Sequence, residues 1–354
     1  MIHFRRRKFL LFALGFGILL WMIAAAGPNV LWQNICKVRW WILALVAVWG
    51  LGYLLNAASW AAIIGALGSS GEAVSGGQGR SLSFGRICQF TVSGFAINYI
   101  TPFGLLGGEP YRVWALRPYV GMERAASSVL LYLMMHVCSH FFFWIAASVT
   151  ALWVLDFSAS FRIGIGVIVA VLILFIALFF RGYHNGMVLS FFRALGRWPL
   201  IGRRVEAWRQ RNRERLLRID GGIATLLRDH ARAFWTSLAL EFLSRLVNCL
   251  EIAVILRVLA PGLSPFSEAP VWLLFVSFFI VAFSSLFANI LFFSPLQMGT
   301  REGGIFLALQ TLWPAVAAPA LMPLAVSISV LTRIREFVWI AVGLLLTLPG
   351  LRRS

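Results

Sequence analysis

Pro102 precedes Glu109 by seven residues, and Pro295 precedes Glu302 by the same interval. Asn98 stands upstream of the first pair and Asn289 upstream of the second. Gly104, Gly107 and Gly108 fall inside the first interval and Gly299 inside the second, while Arg112 follows one glutamate and Arg301 precedes the other. This combination suits an anion: a helix broken by Gly and Pro offers the free N–H groups and positive dipole end of its next half, and an arginine adds charge. A phospholipid phosphate meets that demand. The pairs Glu109 with Arg112 and Arg301 with Glu302 either neutralise each other or grip opposite ends of a zwitterionic headgroup. The plain alternative is two loops of common loop residues that look alike by chance. Against it stands the insertion cost of an ionisable residue at the bilayer centre, about 2.5 to 3.5 kcal/mol, which is rarely sustained without a partner.

Glu241, Arg245, Asn248 and Glu251 follow at i, i+4, i+7 and i+10 inside an apolar stretch, so they share one helix face. That face meets protein or water, either as a structural ion-pair ladder or as a polar track for a headgroup whose tails stay in lipid. His136 and His140 are also one turn apart, yet no carboxylate accompanies them in metal-site register. No Ser-His-Asp set, phosphate-binding glycine loop or paired catalytic carboxylates stand out. The residues call for no enzyme activity, no cofactor and no metal.

Such residues need a frame that tolerates them. Hydrophobic types make up 60% of the 354 residues and charged types 12%, against about 25% charged in soluble domains, which excludes an ordinary water-facing surface. Apolar stretches long enough for a hydrocarbon core of about 30 Å recur along the chain. Segments such as 163–180 are apolar on every side, which argues for helices over an alternating barrel. The predicted fold is an all-α polytopic integral membrane protein of about six to eight transmembrane helices, with two re-entrant or broken-helix hairpins related as an internal repeat. The net charge of +18 sits between and beside the apolar spans, where membrane topology places it, and not in a nucleic-acid-binding patch. The four cysteines, Cys36, Cys88, Cys138 and Cys249, lack the short spacing of a zinc or redox pair.

One membrane domain over 1–354 is expected. Its first half, 1–180, opens on Arg5-Arg6-Arg7-Lys8, which puts the N-terminus in the cytoplasm before an uncleaved span at about 9–26. It contains the broken hairpin 84–123. The arginine-rich segment 181–232 is cytoplasmic and either lies on anionic headgroups or only fixes topology. The second half, 233–354, contains the broken hairpin 294–330.

The stretch Asn98-Tyr-Ile-Thr-Pro-Phe-Gly-Leu-Leu-Gly-Gly-Glu-Pro-Tyr-Arg112, with Gly121 and residues 126–129, resembles the flippase-like membrane region of lysylphosphatidylglycerol synthases. Pro295, Gly299, Glu302-Gly303 and the Arg333 to Trp339 stretch resemble that family's second signature. Where relatives often carry a Glu-Arg pair after the first signature, Leu131-Tyr132-Leu133 stands here. The resemblance implies movement of a lipid between leaflets of a bacterial cytoplasmic membrane, without aminoacyl transfer, which in that family belongs to a separate cytoplasmic domain. The expected binding residues are Asn98, Pro102, Gly108, Glu109, Arg112, Glu241, Arg245, Glu251, Pro295, Gly299, Arg301, Glu302 and Arg333. Membrane phospholipids are the expected partners and nucleic acid is not. The alternative is a non-transporting subunit that regulates or scaffolds a lipid-modifying or envelope-glycan enzyme.

Overall fold

The computed structural model describes residues 20–68, 81–101, 107–184, 187–197, 202–263, 269–290, 297 and 299–351. Among these, all regular structure is helical, and the chain is a polytopic α-helical membrane protein. In lipid every backbone N–H needs an internal partner, and a helix supplies it within the segment.

After a helical stretch at residues 20–26 come α1 (Pro28–Val38), α2 (Trp41–Gly68), α3 (Phe84–Ile100), α4 (Gly108–Val120), α5 (Met122–Val154) and α6 (Ala159–His184). Three short helices follow, α7 (Met187–Leu195), α8 (Gly202–Arg211) and α9 (Arg213–Asp229). The chain closes with α10 (Ala231–Leu259), α11 (Pro270–Ile290), α12 (Thr300–Leu312) and α13 (Ala318–Leu351). Among the described residues, four helices, α2, α5, α6 and α11, are long and apolar enough to span a bilayer. At 29 and 34 residues, α10 and α13 match them in length but carry buried charge, so hydropathy alone misses them.

The α2 and α10 helices form the broadest pair, α13 runs along α3, α4 turns back on α5, and α12 packs against both α11 and α13. Of the apolar clusters among the described residues, one gathers Leu45, Ile255, Leu256, Ile280 and Leu309, and another gathers Trp60, Leu116, Met135 and Phe234. On both α2 and α10, polar or hydrogen-bonding side chains fall between these two clusters: Trp49, Tyr53 and Asn56 on one, Glu241, Arg245, Asn248 and Glu251 on the other. The fold therefore sets a charged belt between these two apolar clusters.

Both broken hairpins pack as helix pairs, α3 with α4 and α11 with α12. Pro102 and Pro295 lie outside the described residues. Gly121 joins α4 to α5 at φ 81°, a backbone state costly for any residue with a Cβ. The second hairpin is bounded differently from the expected 294–330, because its returning helix ends at Leu312 and residues 318–351 form one continuous helix. Pro319 falls in the first turn of α13, where no intrahelical N–H bond is lost. The mid-helix run Arg333, Arg335, Glu336 then breaks the hydropathy without breaking the helix.

The basic segment folds as α7 to α9. Phe192 and Trp208 rings meet at 4.9 Å, Asp220 accepts the Leu189 amide at 2.9 Å, and Arg218 ties α9 to Glu123 at the start of α5 at 2.9 Å.

Candidate functional site

Asn98 organises the first break. Its Oδ1 accepts the amide of Gly108, the first residue of α4, at 2.6 Å, while its Nδ2 donates to Glu109 Oε1 at 3.1 Å. The same carboxylate oxygen lies 3.4 Å from Arg112, one turn along α4, so the i, i+3 spacing closes as an ion pair. Arg112 is 6% exposed, donates to the Thr91 carbonyl at 3.3 Å, and lies 5.2 Å from the Tyr132 ring centroid. The close approach needs glycine: a Cβ at Gly108 would stand 2.1 Å from the Gly94 carbonyl, and one at Gly94 would stand 2.5 Å from Arg112 Nε.

In the second break Glu302 is fully buried. Its Oε2 accepts the amide of Gly299 at 2.7 Å, holding the start of α12, and Oε1 accepts from Ser329 at 2.5 Å and Arg333 at 2.8 Å. Arg301 instead reaches Glu336 at 2.6 Å. The expectation that Arg301 and Glu302 neutralise each other is thus corrected: consecutive helical residues point about 100° apart, and each takes a partner from α13. Asn289 is also no counterpart of Asn98, since its side chain bonds back to the Ser285 carbonyl.

The polar face of α10 divides between two neighbours. Glu241 takes His136 Nδ1 at 2.8 Å, and Arg245 donates to Ser139 at 2.8 Å and to the His136 carbonyl at 2.7 Å, all on α5. Glu251 receives both Arg335 Nε and Nη2 at 2.8 Å, plus Trp49 Nε1 at 2.6 Å. Arg335 stacks 3.5 Å from the Trp49 ring centroid.

These clusters are continuous. Tyr99, next to Asn98, lies within electrostatic reach of Glu336 and of Arg301, which pair with each other, so the two breaks share a link. Tyr132 lies within electrostatic reach of Glu109, Arg112, Glu241 and Arg245, and Tyr53 within reach of Arg335, Glu336, Tyr99 and Tyr132. Asn98, Gly108, Glu109, Arg112, Glu241, Arg245, Glu251, Gly299, Arg301, Glu302 and Arg333 all lie in or beside this network, whereas Pro102 and Pro295 are not described. The residues missed from sequence are Trp49, Tyr53, Asn56, Tyr99, Tyr132, Ser329, Arg335 and Glu336. For Arg335 and Glu336 a signal existed, a charged pair inside an apolar run; a lone tyrosine in an apolar helix gives none.

A family model described as the lysylphosphatidylglycerol synthase transmembrane region matches residues 9–344. No curated protein and no solved structure matches the chain.

Proposed function

The chain belongs to the lysylphosphatidylglycerol synthase transmembrane-region family, and on that premise we propose that it is a lipid translocase. It admits the anionic or zwitterionic headgroup of a phospholipid to the charged belt between its halves and passes it to the other leaflet. The family membership makes it a membrane protein of lipid handling; the movement itself is the proposal. We place it in a bacterial cytoplasmic membrane with its N-terminus cytoplasmic.

One observation carries the reading. Buried polar atoms without a hydrogen-bond partner gather in the belt, and they are of both signs: Glu109 Oε2, Glu241 Oε1, Asn56 Oδ1 and Asn248 Oδ1 as acceptors, Arg112 Nε as a donor, and Arg335 Nη1, which stands 3.7 Å from Glu336 Oε1. Each such atom left dry costs about 1 to 3 kcal/mol, and a fold retains a group of them where water or a ligand completes the bonds. A headgroup with an ammonium or hydroxyl end and a phosphate complements that inventory. Tyr53, whose hydroxyl also lacks a partner, stands at the inner edge of an apolar groove lined by Val46, Gly50, Leu54, Val92 and Trp339, which suits an acyl chain alongside.

The test is movement of a labelled phospholipid between leaflets of liposomes containing only this protein. The expected result is acceleration that falls at least tenfold in Glu109→Gln and in Arg112→Ala. A chain that is inert toward both anionic and zwitterionic lipids is not a translocase, and co-purification with a lipid-modifying enzyme would then favour the subunit reading.

A further inference from the structure

Near the middle of α5, His136 meets Glu241 in a way the lipid path does not require. Glu241 is 1% exposed, and its one hydrogen-bond partner is the imidazole Nδ1 at 2.8 Å, because its second oxygen has none. The natural neutraliser, Arg245, sits one turn along the same helix, yet it donates to Ser139 and to the His136 carbonyl. It braces the α5 backbone and leaves the carboxylate to the imidazole. The His136 side chain is 38% exposed while the carboxylate is enclosed, so the ring has one nitrogen on the buried acid and the other toward the open side.

That arrangement fixes where a proton goes. With a neutral imidazole, Nδ1–H donates to the Glu241 carboxylate and Nε2 is free; His136, Glu241 and Arg245 together sum to zero charge. A further proton adds at Nε2, the Nδ1–H···Oε2 bond persists, and the sum becomes +1. No bond is broken and no side chain need leave its place. Intramembrane His and acidic groups in such a pair are the usual material of proton relays.

The surroundings decide what the added charge acts on. Along α5, Tyr132 lies one turn before, with ring centroids 6.3 Å apart, and His140 one turn after at 5.3 Å, itself stacked on Trp144 with a buried Nδ1 that has no partner. From α4, Arg112 lies 5.2 Å from the Tyr132 ring centroid and pairs with Glu109. From α10 the charged neighbours are Glu241 and Arg245. The α2 and α11 helices, also packed on α5, contain no acid, arginine, lysine or histidine. The charges of α6 stand at its two ends, and α9 meets α5 at Glu123, near its start. Beyond Glu241 and Arg245, Arg112 and Glu109 are thus the charged groups joined to His136 through a shared neighbour, Tyr132.

We propose that His136 and Glu241 form a proton-binding site inside the membrane, which charges as the belt captures a lipid phosphate and discharges on release, coupling lipid movement to a proton gradient. This rests on the translocase reading for its coupling, but the site itself does not. By reciprocity, a lipid phosphate that binds better to the charged state must raise the proton affinity of His136.

The direct test is nitrogen NMR of the full chain with labelled histidines, of which there are five, in lipid nanodiscs made with and without phosphatidylglycerol. The His136 signal is identified by its loss in His136→Gln. At a fixed pH the ratio of imidazolium to neutral His136 should be about tenfold higher with the anionic lipid present, and Glu241→Gln should lower it. A ratio indifferent to phosphatidylglycerol overturns the proposal. In proteoliposomes, opposite pH gradients should speed and slow movement of labelled lipid, with the ratio of the two rates reduced to about one in Glu241→Gln. Lipid movement that proceeds at one rate under both gradients overturns the coupling and leaves the translocase standing. If no lipid moves at all, the translocase reading fails, and the lipid dependence of the NMR ratio alone decides whether the proton site stands.

Discussion

Arg335 and Glu251, 84 residues apart, meet through two 2.8 Å hydrogen bonds between α13 and α10, with both side chains almost wholly enclosed. Removing one member of such a pair strands the other, at about 3 to 5 kcal/mol, whereas replacing both with apolar residues is near neutral. Glu251→Leu and Arg335→Met should each lower the unfolding temperature in detergent. The double variant should recover most of that loss, short of wild type because Trp49 forfeits its acceptor, and should still move no lipid. A double variant that transports would remove this pair from the path.

The two glycines of the first hairpin make unequal predictions. At Gly108 an added Cβ meets backbone, the Gly94 carbonyl, while at Gly94 it meets the Arg112 side chain, which can swing. Gly108→Ala should force α3 and α4 apart and lower stability. Gly94→Ala should lower stability less than Gly108→Ala and lose lipid movement by displacing Arg112. Thermal unfolding and the liposome assay, run on both, separate the two effects.

Glu302 accepts four hydrogen bonds, from Gly299, Ser329 and two nitrogens of Arg333, while fully buried. Glu302→Gln keeps an acceptor but turns an amide donor toward Ser329 or Arg333, with an expected loss of about 3 kcal/mol. Glu302→Ala should cost more. Equal stability of Glu302→Ala and wild type would mean that the second break is held elsewhere.

Outside the membrane spans, Arg209 and then Gln210 hydrogen-bond Glu206 and hold its carboxyl at about 2, below the ordinary 4.5. A depressed carboxyl stabilises above its ordinary value and loses that contribution as pH falls toward the lowered one. Amide protection in α8, measured relative to the intrinsic exchange rate at each pH, should therefore be steady from neutral pH to about pH 5 and fall below about pH 4. In Glu206→Gln the acid-dependent part of that fall should vanish.

Legibility from sequence followed range. The Glu109 and Arg112 pair was readable because i, i+3 neighbours meet on any helix, and the α10 stripe was readable because helical period puts its members on one face. Partners across helices were not readable: Arg335 for Glu251, Arg333 for Glu302 and Glu336 for Arg301 all come from α13, whose alignment depends on how its Gly343 seats against Val92 and Ala96 of α3. The likeness of the two breaks also ran further in sequence than in space, since Asn98 bridges its hairpin and Asn289 does not.

One helix carries nearly all of those partners. From Ser327, which accepts from Asn34 of α1, to Leu346, which accepts from Gln89 of α3, α13 is pinned in turn to Glu302, Glu251, Arg301 and the Val46 carbonyl, over roughly 28 Å of rise. A rod fastened at so many points works as a camshaft: it cannot turn without breaking its contacts to α1, α2, α3, α10 and α12 together. The same gearing means that the loss of any one tooth loosens a helix on which all the others depend.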